Sequence, residues 1–131
     1  MTVVPGLPEC SRAKYANATF GAQQINSRVV VLEVGGEIDL FSAPEFGAWV
    51  RRSGAPASRM IIDMSRVEFF GTAGLPILHA VNSEKVSLGD AWAMICGRPV
   101  LRLLHAAGLD EAFPCYPSVQ GALGSWDIRT A

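Results

Sequence analysis

The chain has 131 residues, half of them hydrophobic and 18% charged, with a formal net charge of −1. That length suits one domain, with enough apolar material for a packed core, and it excludes global disorder. The nearest thing to a basic patch is the pair Arg51-Arg52, and no apolar run approaches the ~20 residues of a spanning helix, so nucleic-acid and membrane roles lack their usual footprints.

Residues 1–13 hold Pro5, Gly6 and Pro8 without periodicity and read as a loose tail, with no basic region ahead of an apolar stretch and hence no secretory signal. Tyr15–Gln24 alternates weakly, as an edge strand does. Arg28–Val34 (RVVVLEV) is rich in β-branched residues and reads as a strong strand. Gly35-Gly36 interrupts it, and Glu37-Ile38-Asp39 continues it after a bend or hairpin. Ser42 is placed as a helix N-cap, with Pro44 in the first turn and Glu45 at the capping-box position. Phe46, Trp49 and Val50 then form an apolar stripe, and Ser53-Gly54-Ala55-Pro56 ends the helix.

Arg59–Met64 has the short apolar character of a buried parallel strand. A second helix is expected from about Thr72 to Leu88, with Leu75, Ile77, Leu78 and Val81 on one broad face. Its pattern fades over Asn82, Ser83, Glu84 and Lys85. Ala91–Cys96 is a third apolar strand. Gly97–Ala107 is a third helix, stopped by Gly108. Phe113–Tyr116 is a short strand and Pro117–Ser125 a short helix; 126–131 form a C-terminal tail. Single helices between successive strands imply right-handed crossovers. The fold class is therefore α/β: one domain over 14–125, with a mixed, mainly parallel sheet of four to five strands and about four helices.

Thr72, in Gly71-Thr72-Ala73-Gly74, puts a hydroxyl at a helix start. A phosphate there would meet helix N–H groups and add about −1.5 to −2 charges; the plainer role is an N-cap. His79 and His105 read as helix-surface histidines, because no G-x-S-x-G elbow supplies a triad nucleophile. Glu37 and Asp39, two apart on an extended segment, share a side and could do acid–base work, though exposed acids at a strand end are commoner. Neither Gly35-Gly36 nor Gly71-x-x-Gly74 is a nucleotide-binding pattern. Cys10, Cys96 and Cys115 lack disulfide-framework or zinc spacing, so cytoplasmic thiols are expected. Cys96 and Cys115 end strands that could be neighbours, which leaves a redox bridge open beside inert burial. One of Phe69-Phe70 must point away from the other, and an exposed aromatic there would stand beside Thr72. No convergent polar cluster marks an enzyme or a metal site.

Three segments resemble the STAS domain of bacterial anti-sigma-factor antagonists: GEIDLFSAPEF (Gly36–Phe46), IIDMSRVEFFGTAGL (Ile61–Leu75) and GRPVLRLLHAAGLDEAF (Gly97–Phe113). The second is similar to the family's D-x-S-x-V-x-F-x-x-S/T-x-G-L signature. The resemblance implies a cytoplasmic, non-enzymatic partner switch. Such a protein binds an anti-sigma factor, a serine/threonine kinase of the histidine-kinase-like ATPase type, and so releases a sigma factor. Phosphorylation by that kinase inactivates it and a phosphatase restores it. The matching acceptor is Thr72, and the implied contact surface is Asp39, Leu40, Phe41, Ser42, Phe70, Gly71, Ala73, Gly74 and Leu75. The nucleotide belongs to the partner, so no cofactor is expected on this chain. The run departs from the family's usual Asp-Ser-Ser/Thr-Gly, with Gly71 in place of the aspartate and Ala73 in place of a hydroxyl. The alternative is a module that senses a small ligand or redox state within a larger complex.

Overall fold

The computed structural model describes residues 10–54 and 57–126. The expected tails at 1–9 and 127–131, and the helix stop at 55–56, lie outside those residues.

Six strands form one sheet in the spatial order β1-β2-β3-β4-β5-β6. They are β1 (Cys10–Tyr15), β2 (Ala18–Gln24), β3 (Val29–Ile38), β4 (Arg59–Phe70), β5 (Ala91–Cys96) and β6 (Cys115–Tyr116). The first three pair antiparallel and β3 to β6 pair in parallel. The count exceeds the expected four to five because Tyr15–Gln24 is not one strand: the chain turns at Ala16-Asn17, and residues 10–13, read as tail, join Lys14 and Tyr15 in the outer strand β1. Gly35-Gly36 does not end β3. Gly36 sits at φ +80°, and the Glu37 N–H donates to the Asn17 carbonyl at 2.9 Å, so the strand bends and continues to Ile38.

The largest surprise is β4, which runs six residues beyond Met64. Its partner register advances from Glu33↔Asp63 to Gly35↔Arg66, and from Gly36↔Val67 to Glu37↔Phe69. At each step β4 carries one more residue than β3, which defines two bulges. Met64, Val67 and Phe70 therefore face the core while the residues between them are exposed.

Helices α1 (Ala43–Gly54), α2 (Leu75–Leu88) and α3 (Arg98–Ala106) cover one sheet face, and α4 (Val119–Ser125) covers part of the other. The main core joins Val30, Leu32, Val34, Met60, Ile62 and Met64 of the sheet to Phe46, Trp49 and Val50 of α1, Leu78 and Val81 of α2, and Val100 and Leu104 of α3. Phe20, Phe46, Trp49 and Phe70 pack as a chain of rings with centroids 6.0–6.3 Å apart, within the favourable range for aromatic pairs. The opposite layer holds Val31, Ile61, Ala93 and Ile95 under Ala122.

Two helix starts differ from expectation. Helix α2 begins at Leu75, preceded by a single 3-10 turn, Thr72–Gly74. Ser42 does precede α1, but its hydroxyl does not reach forward to cap it. It accepts from the Asp39 N–H at 2.9 Å, and its proton is shared between the Glu37 carbonyl (2.8 Å) and the Asp39 carboxylate (3.0 Å). Glu45 completes no capping box; its carboxylate accepts from Arg52 at 3.4 Å.

At the far end of α2, Lys85 is buried at 1% exposure. Its ammonium donates to the carbonyls of Ala57 (2.8 Å) and Gly54 (3.3 Å), with Asp90 at 3.9 Å. With Leu78 and Val81 it completes the buried face, so the apolar stripe that fades in the sequence is continued by the stem of a lysine.

Candidate functional site

Strands β3 and β4 end side by side, paired through Ile38↔Phe70, and the Gly71 N–H donates to the Ile38 carbonyl at 2.8 Å. The Asp39–Ser42 turn and the Gly71–Gly74 turn therefore leave the same end of the sheet as neighbours. The carboxyl ends of parallel strands are where open α/β sheets usually place their sites.

The first turn is wired internally. The Asp39 carboxylate accepts from the N–H groups of Ser42 (2.9 Å) and Phe41 (3.0 Å) and contacts the Ser42 hydroxyl. The Ser42 N–H leads the bonds that hold the Asp39 carboxyl below the usual carboxylate range. With its polar atoms tied together, the turn projects Leu40 and Phe41 outward at 75% and 76% exposure.

The second turn splits its aromatic pair. Phe70 is buried with its ring edge-on to Phe46, while Phe69 is 51% exposed. A Cβ on Gly74 would come within 2.5 Å of the Phe70 ring, so only glycine lets that ring seat beneath the turn. A Cβ on Gly71 would stand 3.1 Å from the Phe69 ring. A side chain at this position is accommodated only if the half-exposed Phe69 ring gives way slightly.

Thr72 is exposed and opens the 3-10 turn. It is not an N-cap: that position belongs to Gly71 for the 3-10 turn and to Gly74 for α2, and no side chain caps either. The expected convergence of amides on Thr72 is also reduced. The Gly74 N–H already donates to the Gly71 carbonyl, the Leu75 N–H to the Thr72 carbonyl, and Pro76 has none. A phosphate on Thr72 would act as bulk and charge among apolar neighbours more than as an anion cradled by a helix.

Of the residues expected to form a contact surface, Leu40 and Phe41 are exposed, and Asp39, Gly71, Ala73 and Leu75 are half-buried. Ser42, Phe70 and Gly74 are buried beneath them. Phe69 is the addition: the doubled phenylalanine signals one outward ring, and the register of β4 decides which.

The remaining candidates do not converge here. His79 lies edge-on to Phe113 with ring centroids 5.1 Å apart, and His105 pairs with Asp110 at 3.0 Å on an exposed surface. Glu37 and Asp39 do not act as an acid pair, because Asp39 is committed to its turn. Cys96 and Cys115 do meet, at 3.6 Å between sulfurs. Two hollows lie away from Thr72. One of about 380 Å³ on the α4 side of the sheet is lined by Lys14, Thr19, Glu33, Gly35, Asp63 and Arg66. One of about 220 Å³ between α1 and α2 begins at Pro76. Among the described residues no group of three or more His, Cys, Asp or Glu could hold a metal ion, and no helix is long and apolar enough to cross a membrane.

A mixed, mostly parallel sheet carrying paired turns at the ends of β3 and β4 defines a single α/β domain. The family model of the STAS domain matches residues 22–122, and the chain belongs to that family. It is 36% identical over 97 residues to the anti-sigma-F factor antagonist RsfB of Mycobacterium tuberculosis, covering 72% of this chain and 79% of that protein. An anti-sigma factor antagonist from Mycobacterium paratuberculosis superposes with a TM-score of 0.65 at 29% identity, over 95% of this chain and 97% of that one. The antagonist SpoIIAA in its unphosphorylated form shares the fold, with a TM-score of 0.66 at 15% identity over 86% of this chain and 97% of that one.

Proposed function

We propose that this protein is an anti-sigma-factor antagonist that docks on its anti-sigma factor through the paired turns and is switched off by phosphorylation of Thr72. The carrying observation is an exposed hydroxyl, Thr72, at the end of the sheet where the adjacent strands β3 and β4 also leave Leu40, Phe41 and Phe69 exposed. Apolar side chains exposed together beside a modifiable group are what a reversible contact uses. The names of the mycobacterial relatives support this reading. The partner is a serine/threonine kinase that uses its own nucleotide, and a phosphatase reverses the modification.

Phosphorylation puts about −1.5 to −2 charges into the middle of that contact. A buried charge without a partner costs several kcal/mol, so the complex is lost unless the anti-sigma factor offers a cation. The test is incubation with the cognate anti-sigma factor and ATP, followed by mass mapping and affinity measurement. A single phosphate on Thr72 and a weakened complex are expected. Intact binding with Thr72 unmodified would reject the phosphoswitch and leave docking in place.

A second reading rests on the 380 Å³ hollow with its four charged walls, Lys14, Glu33, Asp63 and Arg66: a STAS module that senses a small ligand. Thermal stabilisation by nucleotides or anions in the absence of any anti-sigma factor would favour it.

A further inference from the structure

Cys96 closes β5 and Cys115 opens β6, and these strands pair in parallel through Met94↔Cys115 and Ile95↔Tyr116. Their sulfurs are 3.6 Å apart, in direct contact but unbonded, against about 2.05 Å in a disulfide. Both are half-buried free thiols at the margin of the main core, within reach of a small solute. Cys10 lies on β1, at the opposite edge of the six-stranded sheet.

We propose that Cys96 and Cys115 are a redox pair that closes to an intramolecular disulfide under hydrogen peroxide and reopens with a thiol reductant. The Cys115 thiolate attacks the peroxide, gaining an S–O bond as the O–O bond breaks, and the departing hydroxide is protonated to water. The Cys96 sulfur then attacks the Cys115 sulfenic acid, forming the S–S bond and expelling a second water. In total, two thiols and one peroxide give one disulfide and two waters; the thiols lose two electrons and the peroxide gains them. The order of attack follows from the contact. Either sulfur of the contact can donate; with the proton on Cys96, the contact and burial push that thiol up and hold Cys115 down at about 7, so Cys115 is the attacking thiolate.

The bond would staple a short element. Strand β6 has only two residues, and the two cysteines are nineteen positions apart, with α3 between them. Closure ties both ends of that crossover together and removes chain freedom from the unfolded state.

The test uses the intact chain, treated with graded peroxide, alkylated and mapped by mass spectrometry. The expected product is lighter by two hydrogens, carries a Cys96–Cys115 linked peptide, melts at a higher temperature and reverts with dithiothreitol. Its rate of formation should climb as pH rises through about 7, and Cys10→Ser should behave as the parent does. Cys96→Ser should stop at a dimedone-reactive sulfenic acid on Cys115. Independent over-oxidation of the two thiols, or a bridge that needs Cys10, would overturn the proposal.

Discussion

The two ends of helix α2 break the hydropathy rule in opposite directions. At its end a lysine is buried at 1% exposure, yet its ammonium has two carbonyls and a nearby carboxylate. At the end of the sheet from which its start leads off, three large apolar side chains, Leu40, Phe41 and Phe69, stand exposed among the described residues. A buried charge with internal partners is architecture. Clustered apolar surface without internal partners is a debt that another molecule can settle. The helix is thus anchored at one end and made available at the other.

Substitutions at either end should separate these roles. The largest effect belongs to Lys85→Ala, which leaves two carbonyls unpaired and opens a cavity. A stability loss of about 2–4 kcal/mol is expected by denaturant titration, with affinity for the anti-sigma factor unchanged per folded molecule. A loss of affinity as large as the loss of stability would end the contrast. At the other end, Thr72→Glu should weaken the complex by about 1–3 kcal/mol while leaving the melting temperature within experimental scatter. Equal affinity for Thr72→Ala and Thr72→Glu would remove the switch from the model. Phe41→Ala should cost about 1–2 kcal/mol of affinity, as a truncated interface anchor does, with stability within about 0.5 kcal/mol of the parent.

The smallest effect lies in the Asp39 turn and depends on pH. Bonds from Ser42 and Phe41 hold the folded Asp39 carboxyl below its ordinary value of 3.8. Its contribution is therefore fully present above 3.8 and fades as pH falls through the lowered value. The stability difference between the parent and Asp39→Asn should be present at neutral pH and shrink on acidification. A difference that grows toward acid would reverse the assignment.

The parts of the fold legible in the sequence were those where one pattern ran without interruption. RVVVLEV, the Phe46-Trp49-Val50 stripe and AWAMIC all form the elements their periodicity implies. Where the sequence misled, two rules competed. SRVEFF has neither the two-residue beat of a strand nor the helical repeat, because two bulges turn its buried positions into every third residue. Ser42 and Glu45 form a capping box in sequence but not in space, because Asp39 engages the Ser42 hydroxyl first. Lys85 was unreadable as a core residue, since only the fold brings the Gly54 and Ala57 carbonyls to it. At the candidate site, the turn at Thr72 and the divergence of the two phenylalanines could be read in advance. The burial of Ser42, Phe70 and Gly74 could not, because it follows from how α1 packs against the sheet and the 3-10 turn.

The bulges in β4 also set how this chain can drift. From Met64 to Phe70, the fold's tolerance to substitution should keep triple time: 64, 67 and 70 constrained by the core, 65, 66, 68 and 69 free of it. Losing one of the two exposed residues at either step would remove that bulge and shorten the strand by one position, with Phe70 still facing inward. The reach of this strand, more than the identity of its exposed residues, therefore sets where Phe69 and the Thr72 turn emerge.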